Sequence, residues 1–246
     1  DIGPPRPIPT LSCVYTALDP GTSRRERAYH ALKHRLLLGD FAPGTRLGEE
    51  RLAGELSVSR TPVREALTRL HSEGFVERLA DGGYGPTLID LRQIRELYEV
   101  RFALERCAIR RPLEGGPAHD VAQILALRQD WRDLEAPDDD DSVDVEFVLL
   151  DEDFHERVAG ASGNDSLTKE LRRVNERIRI VRMQDFLTAE RVTQTIEQHL
   201  GVLEPLIDGA LGLAEERLVG HFEESLAVVE ERAALTIARM LSRRNR

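Results

Sequence analysis

Apolar residues recur every three or four positions along most of the chain, a spacing that places them on one face of an α-helix. After residue 88 the helical spacing continues to the end, with breaks at 112–117, 136–144, 160–164 and 209. The pattern predicts six helices there: 90–110, 120–134, 145–159, 165–183, 188–206 and 211–242. The second part of the chain is therefore expected to be an all-α helical bundle.

The first part of the chain changes pattern more often. Residues 24–38 and 49–56 have helical spacing, and a third helix is expected to begin after Ser59, which can act as its N-cap, with Pro62 in the first turn. Two strand-like segments, 75–79 and 84–88, flank a glycine-rich tip and predict a β-hairpin. Helices followed by such a hairpin form a winged helix-turn-helix.

The predicted fold class is therefore mostly α, with an N-terminal winged helix-turn-helix and a C-terminal helical bundle. We expect the winged helix over residues 23–88 and the bundle over 89–246. Residues 1–22 have no sustained period and carry four prolines before position 10, which predicts a flexible arm.

The third helix has an apolar face and a basic face. The apolar face consists of Val63, Ala66, Leu67 and Leu70. The opposite face begins with Arg60, Thr61 and Arg64, and the start of a recognition helix points at base edges in helix-turn-helix complexes. Arginine presents a planar set of donors that fits phosphate oxygens and the guanine edge. A solvated basic face is the alternative for such a helix in isolation.

The sequence GDFAPGTRLGEERLAGELSVSRTPVREAL, residues 39–67, resembles the N-terminal domain of the GntR family of bacterial repressors, and the similarity spans about residues 24–88. The resemblance implies DNA contacts at Ser59, Arg60, Thr61, Arg64 and the wing-tip glycine, Gly83. Glu50 stands where many relatives have a DNA-contacting arginine, so the neighbouring Arg51 completes the predicted set. Gly82 stands where a basic wing residue is common.

Composition narrows the class of protein further. The net charge is −10, but residues 24–78 hold 11 Lys or Arg against 8 Asp or Glu, so the acidic excess lies elsewhere. A modest local positive charge favours a dimer that reads a defined DNA site over general attraction to any duplex. The sequence shows no apolar run long enough to cross a bilayer, no signal-peptide pattern and only two cysteines, so we expect a cytoplasmic protein with no membrane partner.

Three histidines and one aspartate are the candidate metal ligands. Asp151 and His155 are four residues apart, so they share one helical face and either form an ion pair or present two ligands. His199 and His221 lie among apolar residues and are expected to face the interior, where an imidazole needs a hydrogen-bond partner or a metal.

The D-x-x-F-H motif at 151–155, with histidines 44 and 66 residues later, resembles the FCD ligand-binding domain of FadR-like GntR regulators. The resemblance implies that Asp151, His155, His199 and His221 bind a divalent metal, with zinc the first choice and nickel or manganese as alternatives. It also implies that Arg101, on the first helix of this domain, lines the effector cavity; an ion pair with Glu105 is the alternative.

These observations predict a DNA-binding transcriptional regulator, and specifically a repressor, that is not an enzyme. We expect a homodimer bound to palindromic operator DNA, with a small carboxylate effector at the metal and Arg101. The alternatives are a metal-free regulator that responds to acyl-CoA or fatty acids, a metal-dependent enzyme, and a helical interaction module in which the histidines only pack.

Overall fold

The computed structural model describes residues 23–140 and 143–244, so the predicted arm over 1–22 lies outside the described residues. The described chain forms two compact units. The helical unit comprises residues 92–229, and the winged-helix unit comprises the residues before it together with those from Glu230 onward. The predicted class, a mostly α protein with a small sheet, is confirmed.

The winged-helix unit contains the three predicted helices and the predicted hairpin. These are α1 (Arg24–Leu37), α2 (Glu49–Glu55), α3 (Arg60–Ser72), β1 (Val76–Arg78) and β2 (Tyr84–Pro86). The strands pair antiparallel, with Val76 opposite Pro86 and Arg78 opposite Tyr84. Each strand has three residues, and backbone hydrogen bonds continue the hairpin beyond them: Thr87 N–H donates to Phe75 O at 3.1 Å and Leu79 N–H to Gly83 O at 2.9 Å.

Helix α3 docks through the apolar face that the sequence predicts. Val63, Ala66, Leu67 and Leu70 are at most 1% exposed. Ser59 is the N-cap residue as predicted, but its side chain accepts no capping hydrogen bond. Pro62 at the third helical position removes one of the two N–H groups that a capping hydroxyl can bind, and Ser59 makes no bond to the other, that of Thr61. The Ser59 hydroxyl is therefore not used to hold the helix end.

The six predicted helices of the second part are all present. They are α4 (Leu91–Arg110), α5 (Val121–Arg132), α6 (Phe147–Ala161), α7 (Asp165–Arg182), α8 (Ala189–Ile207) and α9 (Leu211–Arg244), with a short 3₁₀ helix at Arg111–Glu114. Side-chain oxygens of Asp120, Asn164 and Thr188 accept backbone N–H groups at the starts of α5, α7 and α8. These caps satisfy donors that helix starts leave unpaired.

The last helix contributes to both units. The sequence prediction places all of 89–246 in the helical domain, whereas the part of α9 from Glu230 onward belongs to the winged-helix unit. The Thr236 hydroxyl donates to the backbone oxygen of Leu37 at 3.2 Å, and Arg243 donates to Asp40 at 2.8 Å. Gly39 has a positive φ of 70°, and a Cβ there would lie 2.6 Å from the backbone oxygen of Thr236. Glycine thus permits this close approach.

Candidate metal centre and DNA-binding surface

Three helices of the helical unit bring the four predicted metal ligands together. Asp151 and His155 lie on α6, His199 on α8 and His221 on α9. One ligand atom from each side chain can be chosen so that all four lie within 4.8 Å of one another. All four residues are at most 2% exposed. An aspartate and three histidines that were predicted from separate parts of the sequence thus form one buried cluster.

The distances inside the cluster suit a small divalent ion. His155 Nε2 lies 3.6 Å from Asp151 Oδ2, and His199 Nε2 lies 3.5 Å from Asp151 Oδ1. The Nε2 atoms of His199 and His221 are 3.4 Å apart. Ligand atoms at about 2.0–2.1 Å from a tetrahedral zinc ion are separated by roughly 3.4 Å. The residues present therefore fit a metal without large movement of the backbone.

Two of the three imidazoles are held with Nε2 towards the centre. His155 Nδ1 lies 2.5 Å from Glu105 Oε2, and His221 Nδ1 lies 2.8 Å from Gln198 Oε1. An ionised carboxylate only accepts hydrogen bonds, so Nδ1 of His155 carries a proton, and in the neutral ring the lone pair is then on Nε2. Such an outer partner orients metal-binding histidines and raises their basicity. The arrangement favours metal binding over simple packing of the histidines.

Aromatic rings close the side of the cluster around His199. The Phe154 ring stacks on the His199 imidazole at 3.7 Å with an angle of 5°, and the Trp131 ring contacts it edge-on at 4.3 Å. Within the described chain, neither His199 Nδ1 nor His155 Nε2 has a hydrogen-bond partner. Buried polar atoms normally have a hydrogen-bond partner. The unpaired Nε2 atom of His155, which faces the cluster, therefore favours a metal ion as its partner.

The electrostatics keep the ligands in their metal-binding forms. Burial lowers the pKa of His199 well below its usual range, and the neighbouring His221 lowers it further. Burial likewise lowers the pKa of His221, with His155 adding to the effect. Burial alone would raise the pKa of Asp151, but the Arg182 guanidinium and the imidazoles outweigh it and hold that pKa well below its usual range. These shifts favour the carboxylate form of Asp151 and the neutral forms of His199 and His221, which are the forms that bind a metal.

Two buried arginines border the cluster. Arg101 on α4 donates from Nε to Glu105 at 2.9 Å, and its Nη2 lies 3.7 Å from Asp151 Oδ2. Arg182 at the end of α7 donates to the same Asp151 oxygen. Arg101 thus makes the ion pair with Glu105 that the sequence left as an alternative. Its guanidinium also lies beside the predicted metal ligands, so the two interpretations are compatible.

The start of α3, the residues around α2 and the wing form a concave basic surface. Residues 46–50, Arg60, Arg64, Arg78 and 82–84 line it. The side chains of Arg60 and Arg64 are 61% and 63% exposed. Of the remaining predicted contacts, Ser59 and Thr61 are exposed beside Arg60, while Arg51 is paired with Glu55 at 3.7 Å.

Glu49 links the two principal arginines of this surface. Arg64 donates from Nε and Nη2 to the Glu49 carboxylate at 3.0 Å each, and Arg60 Nη2 lies 3.6 Å from it. The predicted wing-tip residue Gly83 lies against Arg46: a Cβ at this position would be only 2.9 Å from Arg46 Nε. Arg46 in turn pairs with Asp81 at 2.7 Å.

Several residues at the two sites are absent from the sequence prediction. Arg46 and Arg78 extend the basic surface. Gln198, Trp131 and Arg182 each contact one of the four candidate metal ligands. Of these residues, only Gln198 could have been suspected from the sequence, because it directly precedes the predicted ligand His199. Arg182 reaches the cluster only through the packing of α7, which the periodicity of one helix does not specify.

Comparison with known protein families agrees with the geometry. The model of the bacterial regulatory proteins of the gntR family matches residues 24–85, and that of the FCD domain matches residues 96–224. The fold and these two family matches define a DNA-binding transcriptional regulator. The chain belongs to the GntR family and carries the FCD type of helical domain.

Individual relatives are regulators as well. The Nta operon transcriptional regulator of Aminobacter aminovorans is 36% identical over 202 residues, which cover 80% of this chain and 90% of that protein. The transcriptional repressor RspR of Escherichia coli is 24% identical over 211 residues, covering 86% of this chain and 91% of its own length. These relatives identify the chain as a transcriptional regulator and not an enzyme.

Solved structures share the fold. The structure of Lar, described as controlling the expression of the Listeria monocytogenes agr system, has a TM-score of 0.57 and 19% identity, and the match covers 87% of this chain and 99% of Lar. Escherichia coli McbR/YncC has a TM-score of 0.50 and 22% identity, and the match covers 85% of this chain and 98% of McbR/YncC. Across the described helices, none is long and apolar enough to cross a membrane.

Proposed function

We propose that this chain is a metal-dependent repressor whose operator binding responds to a small organic acid. The observation that carries the proposal is the convergence of Asp151, His155, His199 and His221, with Glu105 and Gln198 holding two of the imidazoles in the ligand orientation. Imidazole and carboxylate ligands suit Zn²⁺, Ni²⁺ or Mn²⁺, and zinc is our first choice.

DNA binding is assigned to the concave basic surface. Arg60 and Arg64, with Thr61 and Ser59 at the start of α3, are proposed to contact base edges and phosphates. The wing tip at Gly83 and the side chain of Arg51 are proposed to contact the backbone of the duplex. In a homodimer, two such surfaces would meet successive major grooves of a palindromic operator.

The effector is proposed to bind beside the metal ligands. A divalent ion held here by four protein ligands would accept a carboxylate oxygen at a fifth or sixth position, which requires it to expand beyond the tetrahedral arrangement. Arg101 lies 3.7 Å from Asp151 and has an Nη2 group without a hydrogen-bond partner among the described residues. It can therefore donate to an acid group at the centre. The acid would then shift the equilibrium between a DNA-binding and a non-binding conformation of the regulator, because it binds one of the two more tightly.

In vitro selection of duplexes by the purified chain tests the DNA-binding part. We expect retained sequences to contain an inverted repeat with half-sites about 10 base pairs apart, centre to centre. Retention without sequence preference would contradict an operator-specific regulator.

A thermal-shift screen of small carboxylates, with and without a chelator, tests the effector part. We expect stabilisation by at least one acid that is lost when the chelator removes the metal, because a ligand of the folded state raises its stability by mass action. Stabilisation that survives the chelator would instead support the metal-free type of regulator, for which acyl-CoA or fatty acids would be the next ligands to screen.

A further inference from the structure

The positive and negative side chains around the four candidate metal ligands are equal in number before a metal is bound. Arg101 and Arg182 face Glu105 and Asp151, and all four side chains are at most 3% exposed. Further out, Arg191 pairs with Asp185 at 2.8 Å and Arg179 with Glu152 at 2.6 Å. Each of these arginines therefore has a carboxylate partner. With neutral imidazoles, as metal binding requires, the centre has no net charge of its own.

A divalent ion would change this balance to an excess of two positive charges. A buried excess of charge is strongly unfavourable unless a counter-ion accompanies it. A monocarboxylate would neutralise half of the excess, and a doubly charged acid would neutralise all of it. The charge balance therefore favours a dianion at the centre.

Hydrogen-bond donors without a partner at the centre also favour a dianion. Within the described residues, Nη2 of Arg101 and both Nε and Nη2 of Arg182 lack hydrogen-bond partners. Both guanidinium groups approach the same oxygen, Oδ2 of Asp151, so these donors lie close to the ligand cluster. Buried arginine N–H groups need acceptors, and the anionic oxygens of an acid supply them.

Helix α7 offers a further polar group on the same face as Arg182. Asn175 lies two turns before Arg182 and is fully buried. Among the described residues, neither its side-chain oxygen nor its nitrogen has a hydrogen-bond partner. This face of α7 thus presents polar groups to the interior beyond those that the metal ligands require.

We propose that the centre binds a small dicarboxylate, with one acid group at the metal and Arg101 and the second acid group at Arg182. This inference rests on the proposed metal centre and names the class of its effector. Arg182 is then a binding residue and not only a partner for Asp151.

Calorimetric titration of the zinc-loaded chain with matched acids tests the proposal. The pairs are malonate and propanoate, succinate and butyrate, and glutarate and pentanoate, with protein-bound zinc measured after each titration. We expect the best dicarboxylate to bind roughly 10- to 100-fold more tightly than its monocarboxylate partner, the difference that one charged hydrogen-bonded group makes. Equal affinities would overturn the dicarboxylate proposal and leave the metal-dependent acid site standing. Binding of none of the acids, with zinc retained, would overturn both.

A pair of variants locates the second acid group. Arg182→Met removes the proposed donors and should abolish the preference for dicarboxylates, measured as the ratio of dicarboxylate to monocarboxylate affinity in protein loaded with zinc to the wild-type content. Arg177→Met changes an exposed arginine of the same helix and should leave the preference intact. An undiminished preference in Arg182→Met would overturn the assignment of Arg182. The titrations of the unaltered chain keep the dicarboxylate proposal testable if Arg182→Met does not fold.

Discussion

Two pairs of arginines occupy opposite environments in this molecule. Arg60 and Arg64 share Glu49 on the basic surface, where their side chains are 61% and 63% exposed. Arg101 and Arg182 share Asp151 inside the helical unit, where they are 1% and 0% exposed. Water screens the exposed pair, so a DNA phosphate can replace Glu49 at little cost. The buried pair depends on its partner, because an uncompensated buried charge is strongly destabilising.

The largest expected effect follows from breaking the buried arrangement. Asp151→Ala in metal-free protein leaves Arg101 and Arg182 without their shared carboxylate. We expect the free energy of unfolding to fall by about 3–5 kcal/mol, the usual cost of removing one partner of a buried ion pair. Urea denaturation followed by circular dichroism, in the presence of a chelator, measures the change.

Asp153→Ala is the matched control on the same helix. Asp153 is 41% exposed on its side chain and pairs with Arg157 at 3.5 Å. Its removal should change the unfolding free energy by no more than about 1 kcal/mol. Similar losses in both variants would mean that burial does not distinguish the two aspartates.

Zinc should stabilise the chain by an amount approaching that loss. At free zinc 100 to 1,000 times the dissociation constant, mass action predicts about 3–4 kcal/mol of added stability. Thermal unfolding with and without zinc should therefore show an upward shift that is lost in His199→Ala. His30→Ala, which changes a side chain 50% exposed in α1, should keep the full shift. A shift of equal size in His199→Ala would place zinc elsewhere.

The exposed arginines should matter for DNA and not for stability. Arg60→Ala and Arg64→Ala are each expected to weaken operator binding by about 1–3 kcal/mol, the usual contribution of an arginine contact to a base. Fluorescence anisotropy with a selected operator measures the loss, and circular dichroism should remain unchanged. Arg173→Ala removes an arginine side chain that is 69% exposed in the helical unit and serves as the control. Undiminished binding in the double variant Arg60→Ala/Arg64→Ala would remove α3 from the interface.

The smallest effect concerns Glu49. Glu49→Gln frees Arg64 and Arg60 from their shared carboxylate, so affinity for an unrelated duplex should rise by about 0.5–1 kcal/mol. Glu50→Gln removes the same charge from the lining of the surface without releasing Arg64. Anisotropy measured over a range of salt concentrations should show a larger gain for Glu49→Gln. Equal gains would attribute the effect to net charge alone.

The sequence predicted much of this fold because the relevant signals are local. The apolar spacing of α3 and the glycine-rich hairpin gave the winged helix, and helical periodicity gave α4 to α9. The Ser59 side chain makes no cap hydrogen bond, and Pro62 leaves it only the N–H of Thr61 as a possible donor. The packing of α9 from Glu230 onward in the winged-helix unit does not follow from periodicity, since it depends on tertiary contacts.

The candidate site shows the same division. The four metal ligands came from motif spacing together with the FCD resemblance, and the structure brings them together. The roles of Glu105 as partner of His155, and of Arg182 as partner of Asp151, join residues 50 and 31 positions apart. Such contacts become visible only when the helices are packed.

Equilibrium dialysis of the chain against zinc, followed by elemental analysis and X-ray absorption spectroscopy, tests the central claim most directly. We predict one zinc ion per chain, bound by nitrogen and oxygen ligands at about 2.0–2.2 Å with several imidazoles, and loss of that ion in His199→Ala. A chain that retains no stoichiometric zinc, or retains it equally in His199→Ala, would contradict the account.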